Sequence, residues 1–257
     1  EVGQWLLVRN NLDKFNLDYY RPLGSPTKFV RAMISHFSRA KDELISPQDY
    51  LDYAEKQKLA LDQAEAGVEA KSEVSRLEEI ATAYHVYQKL LLENSALDFG
   101  DLINYTLDLL KKRPKVLNLM QNRYKYILVD EFQDTNLAQY ELLKLLAAPN
   151  PPAGGNITVV GDDDQSIFKF RGASISNILH FQKDYPETKF ISLTDNYRSG
   201  QKILDSAYDF IQQNNPDRLE IKLKLSKKLK SSGKGASEIR YLPAADYLTE
   251  VEEVIGK

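Results

Sequence analysis

Three short polar clusters carry side chains suited to phosphoryl chemistry: Asp130-Glu131, Asp162-Asp163-Asp164-Gln165 and Asn196-Tyr197-Arg198. Carboxylates gathered at neighbouring strand tips repel one another unless a cation is present, and Mg²⁺ takes one or two carboxylates plus phosphate oxygens and water. In such a site Asp130 holds the metal. Glu131, next in the chain and pointing the other way, orients or deprotonates a water. Gln165 offers a donor and an acceptor, which suits a neutral sensor of a phosphate or a water. Arg198 supplies the forked positive charge that phosphoryl transfer needs in its transition state. Together these side chains make half of a nucleotide site. The phosphate cradle is missing, because a P-loop needs Gly-x-x-x-x-Gly-Lys followed by Ser or Thr. Gly233-Lys234-Gly235 and Gly256-Lys257 fail at the first glycine and at the hydroxyl.

Each residue also has a plainer explanation. An Asp-Glu pair at a strand end often caps the helix that follows, and a lone arginine is by default a partner in a surface ion pair. A calcium loop counted from Asp162 is excluded, since Ile167 falls where glycine is required and Ala173 where the bidentate glutamate belongs. His36, His85 and His180 are isolated and read as structural or exposed. Only the conjunction of all the clusters on one rim favours the nucleotide reading.

Such a rim requires particular elements. Tyr126-Ile127-Leu128-Val129, Ile157-Thr158-Val159-Val160 and Phe190-Ile191-Ser192-Leu193 are short β-favouring runs, each ended by one of the clusters. A helical stripe through Leu137, Tyr140, Leu143 and Leu146 lies between the first two, after which comes a Pro/Gly-rich loop at Pro149 to Gly155. Strands alternating with helices predict an α/β fold with a parallel sheet buried on both faces, whose carboxyl rim carries the ligand. Upstream, residues 27 to 121 read as almost wholly helical. Phe29, Met33, Ile34 and Phe37 form one stripe, Leu77, Ala81, Tyr84 and Leu91 another, and Ser46-Pro47 marks a capped restart between them.

Composition narrows the classes. Over 257 residues, 34 basic against 37 acidic side chains give a net charge of −3, so any nucleic-acid surface must be a local patch. No apolar stretch approaches the ~18 residues of a membrane span, and no secretory leader is visible. The absence of cysteine excludes disulfides, a thiol nucleophile and thiolate metal sites, which fits a cytoplasmic setting. The chain starts at Glu1 without Met and stops just past a helix through Leu248, Val251, Val254 and Ile255, which reads as a piece of a longer protein.

The segments Val129-Asp130-Glu131-Phe132-Gln133-Asp134-Thr135-Asn136, Gly161 to Ala173 and Asn196-Tyr197-Arg198-Ser199 resemble motifs II, III and IV of UvrD/Rep-type superfamily 1 DNA helicases. Leu97-Asp98-Phe99-Gly100-Asp101-Leu102-Ile103 is similar to a shorter motif that those proteins carry before motif II. The resemblance implies a partial RecA-like (P-loop NTPase) parallel sheet with a large all-α inserted domain. Residues 1–121 would be the mostly helical insert, 122–196 the second half of the first motor domain, and 197–257 the start of the second. It further implies ATP and Mg²⁺ as cofactors, with Asp130 as metal ligand, Glu131 activating the hydrolytic water, Gln165 sensing the γ-phosphate, Tyr197 beside the adenine and Arg198 on the γ-phosphate. Phe168, Phe170 and Arg171 would face DNA, with single strands and single-strand/double-strand junctions as partners. Aromatic stacking there contributes ~1–3 kcal/mol per base, largely irrespective of sequence. The family usually has Tyr and Trp at the positions of Phe168 and Phe170, so stacking area, a hydroxyl and an indole N–H are lost here.

Motifs I, V and VI have no counterpart in the sequence, so the chain by itself is expected neither to hydrolyse ATP nor to unwind DNA. Two other readings compete with a 3′-to-5′ translocating motor. A metal-dependent nuclease on the acidic rim is disfavoured by the pairing of Gln165 with Arg198, and a degenerate helicase-like scaffold has no need of the intact acid pair. The basic stretch from Arg218 to Arg240, with Lys222, Lys224, Lys227, Lys228, Lys230 and Lys234, reads as a solvated linker rather than a phosphate track.

Overall fold

The computed structural model describes residues 2–63, 67–147, 156–165, 175–233 and 237–256. The chain divides into two compact units, Glu1–Glu187 and Thr188–Lys257. It is mostly helical with small parallel sheets, consistent with an α/β chain.

The first unit opens with six helices: α1 (Val2–Asn10), α2 (Val30–Asp42), α3 (Pro47–Asp62), α4 (Val68–Glu93), α5 (Phe99–Lys112) and α6 (Pro114–Arg123). Of the expected stripe Met33, Ile34 and Phe37 are buried on α2, whereas Phe29 is half-buried at the helix N-cap and Val30 takes the buried place; Phe37 stacks on Tyr84 of α4 with centroids 5.0 Å apart. The restart at Ser46 is a full capping box, in which the Ser46 hydroxyl accepts from the Asp49 N–H and the Asp49 carboxylate accepts from the Ser46 N–H. Periodicity does not mark α1, since Trp5, Leu6, Leu7 and Val8 run consecutively and only Val8 is fully buried.

Strand β1 (Ile127–Val129), helix α7 (Leu137–Ala147), strand β2 (Ile157–Val159) and helix α8 (Ile175–Asp184) complete this unit. The strands pair in parallel, Ile127 with Ile157, Leu128 with Thr158 and Val129 with Val159. Val129, Ile157 and Val159 pack on an aromatic cluster of Phe132, Tyr140 and Phe181. The expected burial on both faces is not found: Leu128, pointing the other way, is 78% exposed, so the pair buries one face.

The second unit holds β3 (Asp195–Asn196), α9 (Gln201–Ile211), α10 (Leu219–Lys222), β4 (Lys230–Ser231) and α11 (Tyr247–Ile255). Here the expected strand at Phe190–Leu193 is corrected, for those residues form no ladder and Ile191 and Leu193 stand exposed. Pairing begins at Asp195 and Asn196, parallel to Lys230 and Ser231. β-propensity supplies a compatible backbone, but a strand exists only where a neighbour offers its N–H and C=O groups. The linker reading of the basic stretch is corrected in part: Lys222, Lys224, Lys228 and Lys230 are exposed, but the stretch contains α10 and β4. Arg218 is buried, its guanidinium 2.8 Å from Glu220, which also accepts from the Tyr208 hydroxyl at 3.0 Å. Lys230 lies in β4, while Lys234 is outside the described residues. Among the described residues no helix is long and apolar enough to cross a membrane.

Candidate functional site

The β1–β2 ladder continues past the strands and brings two polar turns side by side. The Val160 N–H donates to the Val129 carbonyl at 2.8 Å, and the Phe132 N–H returns to the Val160 carbonyl at 2.9 Å. Asp130-Glu131 therefore leaves β1 beside the point where Gly161-Asp162 leaves β2. Phe132 anchors the first turn, buried edge-on against Tyr140 and Phe181 at 5.7 and 5.5 Å between centroids.

Glu131 sits at φ 51°, ψ 40°, the left-handed region. For a residue other than glycine this costs ~1–2 kcal/mol and persists only where the surroundings enforce it. The ladder bond at Phe132 and the bond from the Asp134 N–H to the Glu131 carbonyl at 2.9 Å provide that enforcement. The Asp130 carboxylate accepts from the Glu131 N–H at 3.0 Å through Oδ1. Neither acid caps the next helix. Asn136 does, its Oδ1 accepting from the Gln139 N–H at 2.9 Å while the Gln139 side chain accepts from the Asn136 N–H at 3.1 Å. The plain capping explanation of the acid pair is thereby removed.

On the second turn, Asp162 accepts from the Gln165 amide at 2.8 Å through Oδ2 and from the Asp164 N–H at 3.2 Å through Oδ1. The two turns are joined by Gln133, which is 1% exposed: its Nε2 donates to Glu131 Oε2 at 2.6 Å and its Oε1 accepts from the Asp162 N–H at 3.0 Å. A chain of bonds thus runs from Glu131 through Gln133 and Asp162 to Gln165. Asp130, Glu131 and Gln165 are themselves exposed, and Asp130 Oδ2, Glu131 Oε1 and Gln165 Oε1 have no hydrogen-bond partner among the described residues. Unengaged carboxylate oxygens on a solvent-facing rim fit a hard divalent cation that keeps several waters. The carboxylates of Asp162, Asp163 and Asp164 also lie within 4.8 Å of one another, with Asp163 buried.

Tyr197 and Arg198 belong to the second unit, where both side chains are exposed. The Asn196 carboxamide oxygen accepts from the Arg198 N–H at 3.0 Å and the Ser199 N–H at 2.8 Å, fixing the turn after β3. Ser231 of β4 braces it, its hydroxyl donating to the Ser199 carbonyl at 2.8 Å. Phe168, Phe170 and Arg171 lie outside the described residues.

Sequence reasoning passed over two features. Gln133 stands inside a quoted motif, but its role depends on side-chain direction across a 3₁₀ turn, which composition does not reveal. Lys41 looks like a surface residue by type, yet it is 2% exposed with its ammonium 2.6 Å from Asp98 and 2.8 Å from Asp101. These two acids form the capping box of α5, and the Tyr87 hydroxyl donates to Asp98 at 3.0 Å. Burial opposes ionisation of Asp98, but the Lys41 ammonium, the Asp101 N–H and the Tyr87 hydroxyl outweigh it and hold its carboxyl below the ordinary range. The Leu97–Ile103 motif therefore builds a buried charge cluster.

Residues 8–186 match the family of the UvrD/REP helicase N-terminal domain. The chain is 41% identical over 254 residues to proteins named ATP-dependent DNA helicase PcrA from Staphylococcus epidermidis and from Staphylococcus aureus. In each case the match takes in 99% of this chain and 30% of the relative, so the chain spans about a third of the length of the proteins it resembles.

Proposed function

Because the chain belongs to the UvrD/REP helicase family, we propose that it is the part of an ATP-dependent 3′-to-5′ DNA helicase that carries the metal, water-activating and γ-phosphate-sensing positions. The observation that carries this reading is the bonded rim, in which Asp130, Glu131 and Gln165 lie in the turns that follow paired parallel strands, Glu131 joined to Gln165 through Gln133 and Asp162, and Asp130 accepting from the Glu131 N–H. On this reading residues 1–121 are mostly the helical insert, residues 122–196 complete the first RecA-like motor domain and residues 197–257 begin the second.

Asp130 holds Mg²⁺, which when bound with ATP neutralises charge on the phosphate oxygens. Glu131 orients the attacking water and accepts its proton, a role for which its unengaged Oε1 is available. Gln165 reads the γ-phosphate with a neutral amide, Tyr197 stacks beside the adenine, and Arg198 stabilises the charge that develops in transfer. Phe168, Phe170 and Arg171 contact single-stranded DNA, including strands at junctions with duplex. The working place is the cytoplasm.

The test uses the full-length protein that contains this chain. DNA-stimulated ATP turnover is expected, falling by at least ~100-fold in Glu131→Gln, while the 257-residue chain alone shows none. Turnover that survives Glu131→Gln, or metal-dependent DNA cleavage lost in Asp130→Ala, would overturn the assignment.

A further inference from the structure

We infer that Gln133 is a positioning residue that fixes the Glu131 carboxylate by bonding it to the backbone of the Gly161–Gln165 turn. The inference rests on the motor reading above. Polarity leaves the carboxamide a single orientation. The Asp162 N–H can only donate, so it must meet Oε1. The Glu131 carboxylate can only accept, so it must meet Nε2. Glutamine meets both demands at once with bonds of 2.6 and 3.0 Å. A glutamate would set two carboxylates against each other, and an apolar side chain would leave the Asp162 N–H unpaired.

The carboxamide has little freedom. Gln133 is almost wholly buried, and the space over it exists because residue 161 is glycine: a Cβ there would lie 2.8 Å from Gln133 Oε1 and 3.3 Å from its backbone nitrogen. The Gln165 amide holds the other end of the turn through Asp162. When the turn shifts and the Asp162 N–H withdraws, Oε1 loses its anchor, the carboxamide is free to rotate, and Glu131 loses the donor that fixes its Oε2. Glu131 Oε1 is then no longer held in register with a water. Displacement of a reacting group by about 1 Å costs as much as ~100-fold in rate.

The experiment measures steady-state ATP turnover by the full-length protein with and without single-stranded DNA for wild type, Glu131→Gln, Gln133→Met and Gln133→Glu. Wild-type turnover that is lost in Glu131→Gln establishes the motor reading independently. Against that background Gln133→Met is expected to lower the DNA-stimulated kcat by ~10–100-fold with KM for ATP within about twofold. Gln133→Glu keeps the volume and the acceptor for Asp162 but opposes two acids, so it is expected to lower the DNA-stimulated kcat at least as far as Gln133→Met. Wild-type kcat in either Gln133 variant would overturn the inference, as would losses confined to KM or to melting temperature. An inactive wild type would overturn the motor reading, and this inference with it.

Discussion

At Glu131 backbone and side chain are held by different neighbours: the ladder to β2 imposes the left-handed turn, and Gln133 fixes the carboxylate. Both depend on room over Gly161. An ideal Cβ at that position meets Gln133 Oε1 at 2.8 Å and the Gln133 backbone nitrogen at 3.3 Å, and neither can yield cheaply, since the carboxamide is bonded at both ends and the second atom is backbone. Gly161→Ala is therefore expected to destabilise the chain by about 1–3 kcal/mol, the usual cost of overpacking. Urea unfolding measures it, and an unchanged midpoint would show that the turn widens freely.

At the scale of the element, α5 starts where it does because Asp98 and Asp101 cap each other across the first turn, and the single ammonium of Lys41 from α2 is shared between them. Gly100 lets the two helices approach, since a Cβ there would lie 2.7 Å from Lys41 Cβ. Breaking a buried pair by removing one partner leaves an uncompensated charge, so Lys41→Met should cost about 3–5 kcal/mol at neutral pH. The sign of the pH dependence follows from the depressed Asp98 carboxyl. Its contribution is present above the unfolded-state pKa and is lost as pH falls through the lower folded one. The gap between wild type and Lys41→Met should therefore narrow in acid, and thermal unfolding at neutral and acid pH would detect a gap that stays constant.

At the scale of the whole molecule, polar contacts tie the helical part of the first unit to the strand-bearing part: Asn136, the cap of α7, donates to Asp42 at the end of α2 at 2.7 Å, and the Gln121 amide of α6 donates to the Leu145 carbonyl of α7 at 2.9 Å. Burial, then the charges of Glu43 and Asp98, push the Asp42 carboxyl up to about 6. A raised acid stabilises the fold while it is protonated, so its contribution is complete below the unfolded pKa and disappears as pH rises through about 6. Asp42→Asn keeps an acceptor for Asn136 without the charge. It is expected to raise stability at pH 7.5 by on the order of 1 kcal/mol, after discounting for partial exposure, with no gain near pH 4. Denaturant midpoints at the two pH values check this, and a gain of equal size at both would show that charge is not the cause.

The sequence by itself determined the helices with clean stripes, the capped restart at Ser46, the two apolar runs that became β1 and β2, and the identity of the polar residues that leave them. Those features are local, because spacing and capping are written within a turn or two of the chain. Tertiary structure alone decided that Phe190–Leu193 makes no ladder, that one face of the β1–β2 pair stays open, and that Arg218 is buried beside Glu220. It also decided that Gln133 bridges residues 131 and 162, and that Lys41 is closed in by acids about sixty residues away in the chain. A strand needs a partner's hydrogen bonds, and a buried polar side chain needs a complementary group brought from elsewhere. Neither partner is encoded near the residue that requires it.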